Sequence, residues 1–385
     1  MVNIELKYLF SPAKIGHVTI KNRIVRSATY ERKAAKYGKV TKELIEMYKE
    51  LAAGGAGLII TGAIAVDPHA TGGPDQPYLY DNSYIDGQKK LVKAIHDYSD
   101  VKVAAQLVHT GRQGTHPKYP SVAPSPIKDK STKKVPIELT VNEIREITKN
   151  FVDASIRAYE CEYDMVQMHA AHGYLLSNFI SPYTNIRIDE YGGNTQNRTK
   201  ILIDIYHQIR DEIGKDFPII VKLQTDDDVP GGLMVDEAME ITKILVKTGY
   251  DAIEPSGGIG ESIIINKNPL PSKFIKKPED ENYFLPIAKK LKPLMQHCPL
   301  ILVGGIRNPI SAEKILKEKI ADFISMSRPL IYEPDLPNRW KNGDLSPALC
   351  ISCNSCFMTM MQGKVYCVVK KKLEEKKLKK RKTEL

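Results

Sequence analysis

The chain has 385 residues, of which 42% are hydrophobic and 26% charged, so it can bury a large core. Its formal net charge is +10, but residues 370–385 hold nine Lys or Arg against three Glu, and the rest of the chain is only mildly basic. This distribution argues against a nucleic-acid-binding face, and the lack of a run of about 18 apolar residues argues against a membrane span.

The two ends of the chain and the cysteines indicate the compartment. The N-terminal residues show no apolar segment or cleavage pattern typical of a signal peptide. Four of the six cysteines are crowded near the C-terminus, which is not the spacing of a disulfide framework. We therefore expect a reducing, cytoplasmic location.

Apolar β-type runs alternate with helix-period segments along most of the chain. Strands are predicted at Ile24–Ser27, Gly57–Thr61, Lys102–Leu107, Met165–Met168, Ile219–Leu223, Ala252–Glu254, Leu300–Val303 and Phe323–Met326. Helices are predicted near residues 41–53, 84–98, 140–160, 195–212, 235–248, 282–296 and 310–318. Eight strands that alternate with helices predict an α/β fold, a parallel (β/α)8 TIM barrel that uses the chain as one large domain.

Two connections are long enough to shape a binding pocket. They cover residues His109–Leu139 and Pro255–Glu281, and each follows a predicted strand. In a barrel both would lie over the C-terminal face, where such enzymes bind substrate. Neither GxGxxG after a strand nor GxxxxGK[ST] occurs, so a Rossmann site and a P-loop are not supported.

Polar residues and glycines gather just after the predicted strands, where they would face one cavity. The set comprises Ser27–Tyr30, Ala63, Gln106, His109, His169, His172, Tyr174, Lys222, Ser256, Gly257, Gly304, Gly305, Ser327 and Arg328. The sequences VGGIRN and SMSRP close the last two strands, which is where barrels commonly bind phosphate through backbone N–H groups. The arginine of SMSRP adds a bidentate phosphate ligand.

Five motifs within residues 8–342 carry a family resemblance: LFSPAKIG, IKNRIVRSATY, AAQLVHTGRQ, HAAHGYLLSNFISPYTNIRIDEYGG, and VGGI with SMSRPL. In this order they resemble the old yellow enzyme family of FMN-dependent oxidoreductases. The resemblance implies a (β/α)8 barrel with FMN at its C-terminal face. It also implies hydride transfer from NAD(P)H through the flavin to an electron-poor C=C bond in a small unsaturated substrate.

The resemblance assigns flavin contacts to residues at the strand ends. Lys222 would lie near flavin N1 and O2, where most relatives have Arg and where a fixed cation stabilises the reduced ring. The other flavin-binding positions would be Ala28, Thr29, Tyr30, Ala63, Gln106 and Ser256, with Gly304, Gly305, Ser327 and Arg328 at the phosphate. Tyr30 departs from the Thr or Cys of many relatives, so no single relative's substrate can be transferred to this chain. A buried Lys222 also needs an anionic partner.

The catalytic residues implied by the resemblance are His169, His172 and Tyr174. The histidines would hydrogen-bond the substrate carbonyl, and Tyr174 would donate the proton opposite the hydride. Other interpretations remain open: the histidines could be a metal pair, although no third ligand stands at an obvious position. Tyr174 could be a buried structural tyrosine, and Gln106 a core glutamine.

Residues 343–369, which we name the Cys segment, carry Cys350-x2-Cys353-x2-Cys356-x10-Cys367. This spacing favours [4Fe–4S] ligation over a zinc ribbon. It resembles the cluster segment of the trimethylamine dehydrogenase and 2,4-dienoyl-CoA reductase branch, whose second half we expect this chain to lack. Zinc and no bound metal are the alternatives.

The predicted organisation is therefore a barrel over residues 1–342, the Cys segment, and a basic tail over residues 370–385. The tail is either solvated or in contact with an acidic partner or lipid. Two further functions compete with C=C reduction: an amine dehydrogenase or demethylase, and an electron-transfer subunit that works with a partner protein. The sequence is compatible with a homo-oligomer but does not specify one.

Overall fold

A computed structural model describes residues 5–73, 75–98 and 100–383. Its central sheet has eight principal strands: β1 (Ile24–Arg26), β2 (Leu58–Ile60), β3 (Lys102–Val108), β4 (Met165–Ala170), β5 (Ile219–Gln224), β6 (Ala252–Ser256), β7 (Ile301–Leu302) and β8 (Phe323–Met326). All eight lie within or close to the predicted strands.

The strands pair in parallel in the order β6-β5-β4-β3-β2-β1-β8-β7. A parallel bridge between Ile253 in β6 and Leu300, just before β7, joins the two ends of this sheet. The N–H of Ile253 donates to the carbonyl of Pro299 at 3.0 Å. The predicted (β/α)8 barrel is therefore confirmed, and it is closed.

Eight helices surround the barrel: α1 (Lys42–Ala53), α2 (Ile85–His96), α3 (Val141–Glu160), α4 (Thr195–Ile213), α5 (Val235–Thr248), α6 (Leu285–Leu291), α7 (Pro309–Lys317) and α8 (Leu336–Lys341). The first seven match the predicted helices. The predicted capping box at the start of α3 is present, with Thr140 and Glu143 each accepting from the other's backbone N–H. The prediction for α6 was too long, because Pro293 lacks the N–H that an α-helix would need and the chain continues as a 3₁₀ turn.

Shorter elements occupy the connections. The strands are Ala13–Ile15, Val18–Ile20, Ile64–Ala65, Val122–Ala123 and Ile137–Glu138. The α-helices are Leu175–Ile180, Gly260–Ile265, Arg328–Tyr332, Ser355–Gln362 and Val368–Thr383, and the 3₁₀ turns are Pro68–Ala70, Asn82–Tyr84, Gly111–Gln113, Pro278–Asp280 and Lys292–Leu294. Within the described ranges, none of the helices combines the length and hydropathy that a membrane crossing requires.

An apolar layer fills the lower part of the barrel. Every strand contributes to it, and the cluster comprises Val25, Leu58, Ile60, Ala104, Met165, Ile220, Ala252, Ile301 and Phe323. Ile15 and Ile20 of the N-terminal hairpin pack into the same cluster and are fully buried. The hairpin thus closes the N-terminal end, so a ligand can enter only where the strands end.

Side chains two residues further along each strand point into the barrel again, one layer higher. In this chain the higher layer is polar. It contains Ser27, Gln106, Gln167, Lys222, Glu254 and Ser325, all buried. The change from apolar to polar between the two layers places the chemistry at the C-terminal end of the barrel.

A buried carboxylate, Glu31, fixes the loop after β1. It accepts from Arg26 Nη2 at 3.3 Å and from the Tyr48 hydroxyl at 3.4 Å, and that hydroxyl accepts from the Gly62 N–H at 2.7 Å. Burial raises the pKa of Glu31 to about 7, against the opposing effect of Arg26. The folded protein therefore binds more protons at this group than the unfolded chain does between about pH 4.5 and 7.

This shift predicts a pH dependence of stability. Wild-type stability should fall as the pH rises from 4.5 to 7, by an amount on the order of 3 kcal/mol from this group, and then level off. Glu31→Gln should remove that decline, whereas Glu50→Gln on the exposed side of α1 should retain it. Urea unfolding at pH 5, 6 and 7.5 measures the difference, and equal slopes for Glu31→Gln and wild type would contradict the prediction.

Candidate active site

A cleft of about 800 Å³, which we name the strand-end cleft, lies at the C-terminal end of the barrel. The loops after β1, β6, β7 and β8 form most of its wall. Nine of the fourteen residues predicted to bind flavin or to act in catalysis line it together: Ala28, Thr29, His172, Lys222, Ser256, Gly304, Gly305, Ser327 and Arg328.

The other five predicted barrel residues lie outside this wall. Gln106 points into the barrel and donates from Nε2 to Gln167 Oε1 at 2.7 Å, as its interpretation as a core glutamine requires. The backbone carbonyl of Ala63 accepts from Gln76 Nε2 at 3.1 Å. The Tyr30 hydroxyl donates to Asp75 Oδ1 at 3.0 Å. The His169 ring lies beside the rings of His172 and Tyr174, with centroid distances of 5.0 Å and 4.9 Å.

The buried cation at the base of the cleft is paired with a residue that the sequence analysis missed. Lys222 Nζ lies 2.9 Å from Glu254 Oε2, and Glu254 is fully buried. Glu254 also accepts from Ser27 Oγ and Ser325 Oγ at 2.8 Å each, and from Gln167 Nε2 at 3.0 Å. Glu254 could have been found in the sequence, because it is a lone carboxylate two residues after the start of an apolar strand.

The ionised form of Glu254 is maintained despite its burial. Burial alone raises its pKa, but the charge of Lys222 and the hydrogen bonds from Lys222, Ser27 and Ser325 outweigh that effect, so the pKa lies below its ordinary value of 4.5. Glu254 is therefore a carboxylate at neutral pH, and it faces Lys222 across the register of β5 and β6.

The two histidines are neutral in this environment. Burial and then the charge of Lys222 lower the pKa of His169 to about 3, and burial also holds that of His172 well below its ordinary value. His172 Nε2 is 2.7 Å from Ser256 Oγ, and its backbone N–H donates to Gln224 Oε1 at 2.7 Å. The Nδ1 atom of His169 is buried without a hydrogen-bond partner. A buried polar atom of this kind is suited to a ligand.

Tyr174 is the third member of this group. Its ring meets the His169 ring nearly at a right angle, 82°. Burial raises the pKa of the phenol above its ordinary value of 10. The hydroxyl is therefore protonated at neutral pH and can act as a proton donor.

The opposite end of the cleft has the features of a phosphate site. Gly304 and Gly305 have φ values of 107° and 80°, which L side chains rarely adopt. A Cβ on Gly304 would stand 2.4 Å from Phe284, and one on Gly305 would stand 2.9 Å from Tyr283. Only glycine fits, and its exposed backbone N–H groups can approach an anion closely.

Polar side chains complete this end. The hydroxyls of Ser327 and Thr29 are 2.7 Å apart. Arg328 lines the cleft as predicted, and Arg307 and Ser352 line it too, although the sequence analysis assigned them no role. Glycine N–H groups and guanidinium groups at one end, with Lys222 and the His172 imidazole at the other, fit the phosphate and the ring of FMN.

The four cysteines of the Cys segment line one small cavity, which we name the thiol cavity. Burial raises the pKa of Cys356 to about 11, and the neighbouring thiols raise it further in the same direction. Burial also raises the pKa of Cys350. Among the described residues, no three His, Cys, Asp or Glu side chains are close enough to hold a metal ion. The predicted iron–sulfur site is therefore not shown.

Comparison with known proteins bears on the whole chain. A family model described as the NADH:flavin oxidoreductase / NADH oxidase family matches residues 8–345. The chain is 38% identical to the NADH oxidase of Thermoanaerobacter brockii over 351 residues, which are 90% of this chain and 52% of that protein.

Two solved structures resemble it closely. One is a 2-naphthoyl-CoA reductase, with a TM-score of 0.84, 28% identity, and coverage of 91% of this chain and 54% of the other. The second is the old yellow enzyme homologue from Zymomonas mobilis, with a TM-score of 0.74, 27% identity, and coverage of 89% and 95%. The chain thus spans about half the length of the NADH oxidase and the naphthoyl-CoA reductase.

The buried ion pair yields a prediction. Lys222→Met leaves Glu254 charged and buried without a cation, which should lower the free energy of unfolding at pH 7 by roughly 3–5 kcal/mol. Lowering the pH should reduce the difference in free energy of unfolding between wild type and Lys222→Met. In the folded variant Glu254 binds a proton more readily than it does in the unfolded chain, which stabilises the variant at low pH. Wild type instead loses stability as the pH falls below 4.5.

Urea unfolding at pH 7 and pH 5 measures these changes. The double variant Lys222→Met/Glu254→Gln should recover most of the loss, because no unpaired charge remains. Lys247→Met, at an exposed position of α5, is the control and should change stability by less than about 0.5 kcal/mol. A loss in Lys222→Met no larger than that of the control would contradict the assignment.

Proposed function

The chain belongs to the NADH:flavin oxidoreductase / NADH oxidase family, and on that premise we propose that it uses FMN and NAD(P)H to reduce an activated C=C bond. The substrate class is an enone, enoate or enoyl compound, in which a carbonyl is conjugated with the alkene. The names of the similar 2-naphthoyl-CoA reductase and old yellow enzyme homologue support this class. The observation that carries it is the neutral histidine pair beside a protonated tyrosine.

The residues that would hold FMN divide between the two ends of the strand-end cleft. Gly304, Gly305, Ser327 and Arg328 would bind the phosphate through backbone N–H groups and a guanidinium. Lys222 would supply a fixed positive charge near the ring system. When bound, FMN supplies the transfer of hydride between NAD(P)H and the substrate.

The histidine pair would bind the substrate's carbonyl oxygen. Both imidazoles are neutral, so each carries one N–H donor. His169 Nδ1 has no partner within the described residues. Hydrogen bonds to the carbonyl draw electron density from the conjugated alkene and make its far carbon a better hydride acceptor.

These features support a carbonyl substrate over a cationic amine. An amine dehydrogenase site would bind its substrate's cation against aromatic faces. The Tyr and Phe side chains that line this cleft, Tyr283 and Phe284, stand against the glycine pair at the phosphate end. The end near His172 carries hydrogen-bond donors and the charge of Lys222, which repels a cation.

Tyr174 would donate the proton that completes reduction of the alkene. It is protonated at neutral pH, and it lies beside the imidazole that would bind the carbonyl. The proton donor and the residues that bind the carbonyl would then lie in one short stretch of chain, at the end of β4 and just after it. A general acid in this position contributes about 10²–10⁴-fold to the rate.

Tyr174→Phe tests this role, because it removes only the hydroxyl. Reduction of the flavin by NAD(P)H should be unchanged, while reoxidation by an enone such as cyclohexenone should slow by about 10²–10⁴-fold. Stopped-flow absorbance separates the two half-reactions. Tyr159→Phe, on the exposed side of α3, is the matched control. An equal loss in both half-reactions would show that Tyr174 is structural.

A second function, electron exchange with a partner protein, is favoured by the thiol cavity. We propose that Cys350, Cys353, Cys356 and Cys367 ligate a [4Fe–4S] cluster there. The four cysteines line one cavity, and their x2, x2 spacing supports a cluster over a zinc ribbon, whose cysteines come as two separated pairs. The positive charge of Arg328 favours the thiolate forms of Cys350 and Cys356.

The surroundings of Cys367 support a partner of acidic character. Cys367 also lines a second cleft, in which Lys370 and Lys371 of the C-terminal helix stand together with Glu374. The helix Val368–Thr383 carries nine Lys or Arg against two Glu, and its residues from 371 to 382 are exposed. An acidic one-electron carrier would be attracted to this helix.

Cys353→Ser tests the cluster. Anaerobically purified wild type should contain iron and sulfide near four per chain, as a [4Fe–4S] cluster requires, and the variant should lose both. Enone reduction by NAD(P)H should persist in the variant, because hydride transfer needs no one-electron relay. Cys298→Ser, at a buried position outside the Cys segment, is the control. Wild type that holds flavin but no iron would refute the cluster.

A further inference from the structure

We infer that the Cys segment forms the outer wall of the phosphate end of the strand-end cleft, so that FMN binding and the order of this segment stabilise each other. The inference rests on the proposed function in one respect, that FMN occupies this cleft. It does not depend on whether the four cysteines bind a cluster.

Arg328 is the central connection between the two parts. It lines both the strand-end cleft and the thiol cavity. From Nη1 it donates to the carbonyl of Lys273 at 2.9 Å and to that of Ser352 at 3.3 Å, and it also donates to the side chain of Asn354. One guanidinium therefore joins the end of β8, the loop after β6 and the Cys segment.

The Cys segment itself reaches into the cleft at Ser352. This residue is only 2% exposed and lines the strand-end cleft, while Cys350 and Cys353 on either side line the thiol cavity. Its φ of 54° lies in the left-handed region, as does the φ of 55° at Asn354. Two non-glycine residues in this region cost backbone energy, so contacts around them must hold this bend.

Asn354 and Arg307 supply those contacts. The Asn354 amide donates to the carbonyl of Ser272 and accepts from Arg328, so it clamps the bend to two walls of the cleft. Arg307 is the second residue after the glycine pair. Its carbonyl accepts from the Ala348 N–H at 2.8 Å, and its Nη2 donates to the Ala348 carbonyl at 3.2 Å.

Arg307 also has spare capacity for an anion. Its Nε is buried without a partner, and the side chain lines the cleft. Arg328 uses Nη1 for the contacts above, and a guanidinium carries five N–H donors, so it can bind phosphate oxygens at the same time. A phosphate held by both arginines would fix the two side chains that hold the Cys segment.

The effect of the Cys segment on FMN binding and the effect of FMN on the segment must be equal in free energy. If the ordered Cys segment holds Arg307 and Arg328 in place for the phosphate, bound FMN must favour the ordered segment by the same free energy. FMN should therefore protect the four thiols from modification. Riboflavin, which lacks the phosphate, should protect them much less.

Asn354→Gly tests this coupling in the full-length chain. It removes both amide contacts, and glycine adopts the left-handed φ without strain, so the variant should fold. The dissociation constant of FMN, measured by flavin fluorescence on the flavin-free protein, should rise by about tenfold, which corresponds to loss of two ordinary hydrogen bonds. The dissociation constant of riboflavin should change by less than about twofold.

Two further variants sharpen the result. Asn354→Asp keeps an acceptor for Arg328 and should retain more FMN affinity than Asn354→Gly. Lys319→Gly changes another exposed left-handed position, after α7, and should match wild type. The rate of thiol modification by dithiobis-nitrobenzoate, with and without FMN, gives a second readout. FMN should slow it in wild type and Lys319→Gly but not in Asn354→Gly.

The possible failures are distinguishable. If wild type binds neither FMN nor riboflavin, the proposed function fails and the coupling with it. If FMN binds wild type and Asn354→Gly equally and protects the thiols equally, the coupling is wrong while the proposed function stands. If riboflavin weakens as much as FMN does, the Cys segment does not act at the phosphate.

Discussion

A buried positive charge must be balanced where it is buried, and in this barrel the balance is the ion pair between Lys222 and Glu254. Replacing such a pair with apolar residues is often neutral or stabilising, so stability alone does not explain it. The pair is completed by donors from other strands, among them Ser27, Ser325 and Gln167. The buried charge of Lys222 thus requires a layer of polar side chains across half the barrel. This layer lies directly above the fully apolar layer.

The same cation determines the protonation of the histidines. Lys222 stands next to His169 in the register of β5 and β4, and its charge adds to burial in lowering the pKa of both imidazoles. Glu254 does not cancel this effect, because it lies on the far side of Lys222, in β6. The neutral imidazoles of His169 and His172 therefore act as hydrogen-bond donors near the fixed charge of Lys222. This arrangement suits the carbonyl oxygen of a substrate better than it suits a cationic substrate.

Much of this architecture could be predicted from the sequence, because periodicity and capping are local. The strands, the helices and the capping box at Thr140 follow from residues close together in the chain. Nine of the predicted flavin-binding and catalytic residues meet in one cleft because parallel strands end at the same face. Glu254 was missed because its role depends on the register between strands, although its place two residues above an apolar position offered a signal.

The Cys segment was harder to place, because its position depends on side chains far away in sequence. Nothing local to Ser352 or Arg307 indicates that they meet the same cleft. The spacing of the four cysteines predicts a set of metal ligands, but it predicts no role for the residues between them. The structure places one intervening residue, Ser352, in the wall of the strand-end cleft, whereas Asn354 lines the thiol cavity with the four cysteines and donates to the carbonyl of Ser272 in the cleft wall. One bend of backbone therefore contributes to both cavities, which is why the contacts that hold it come from residues far away in sequence.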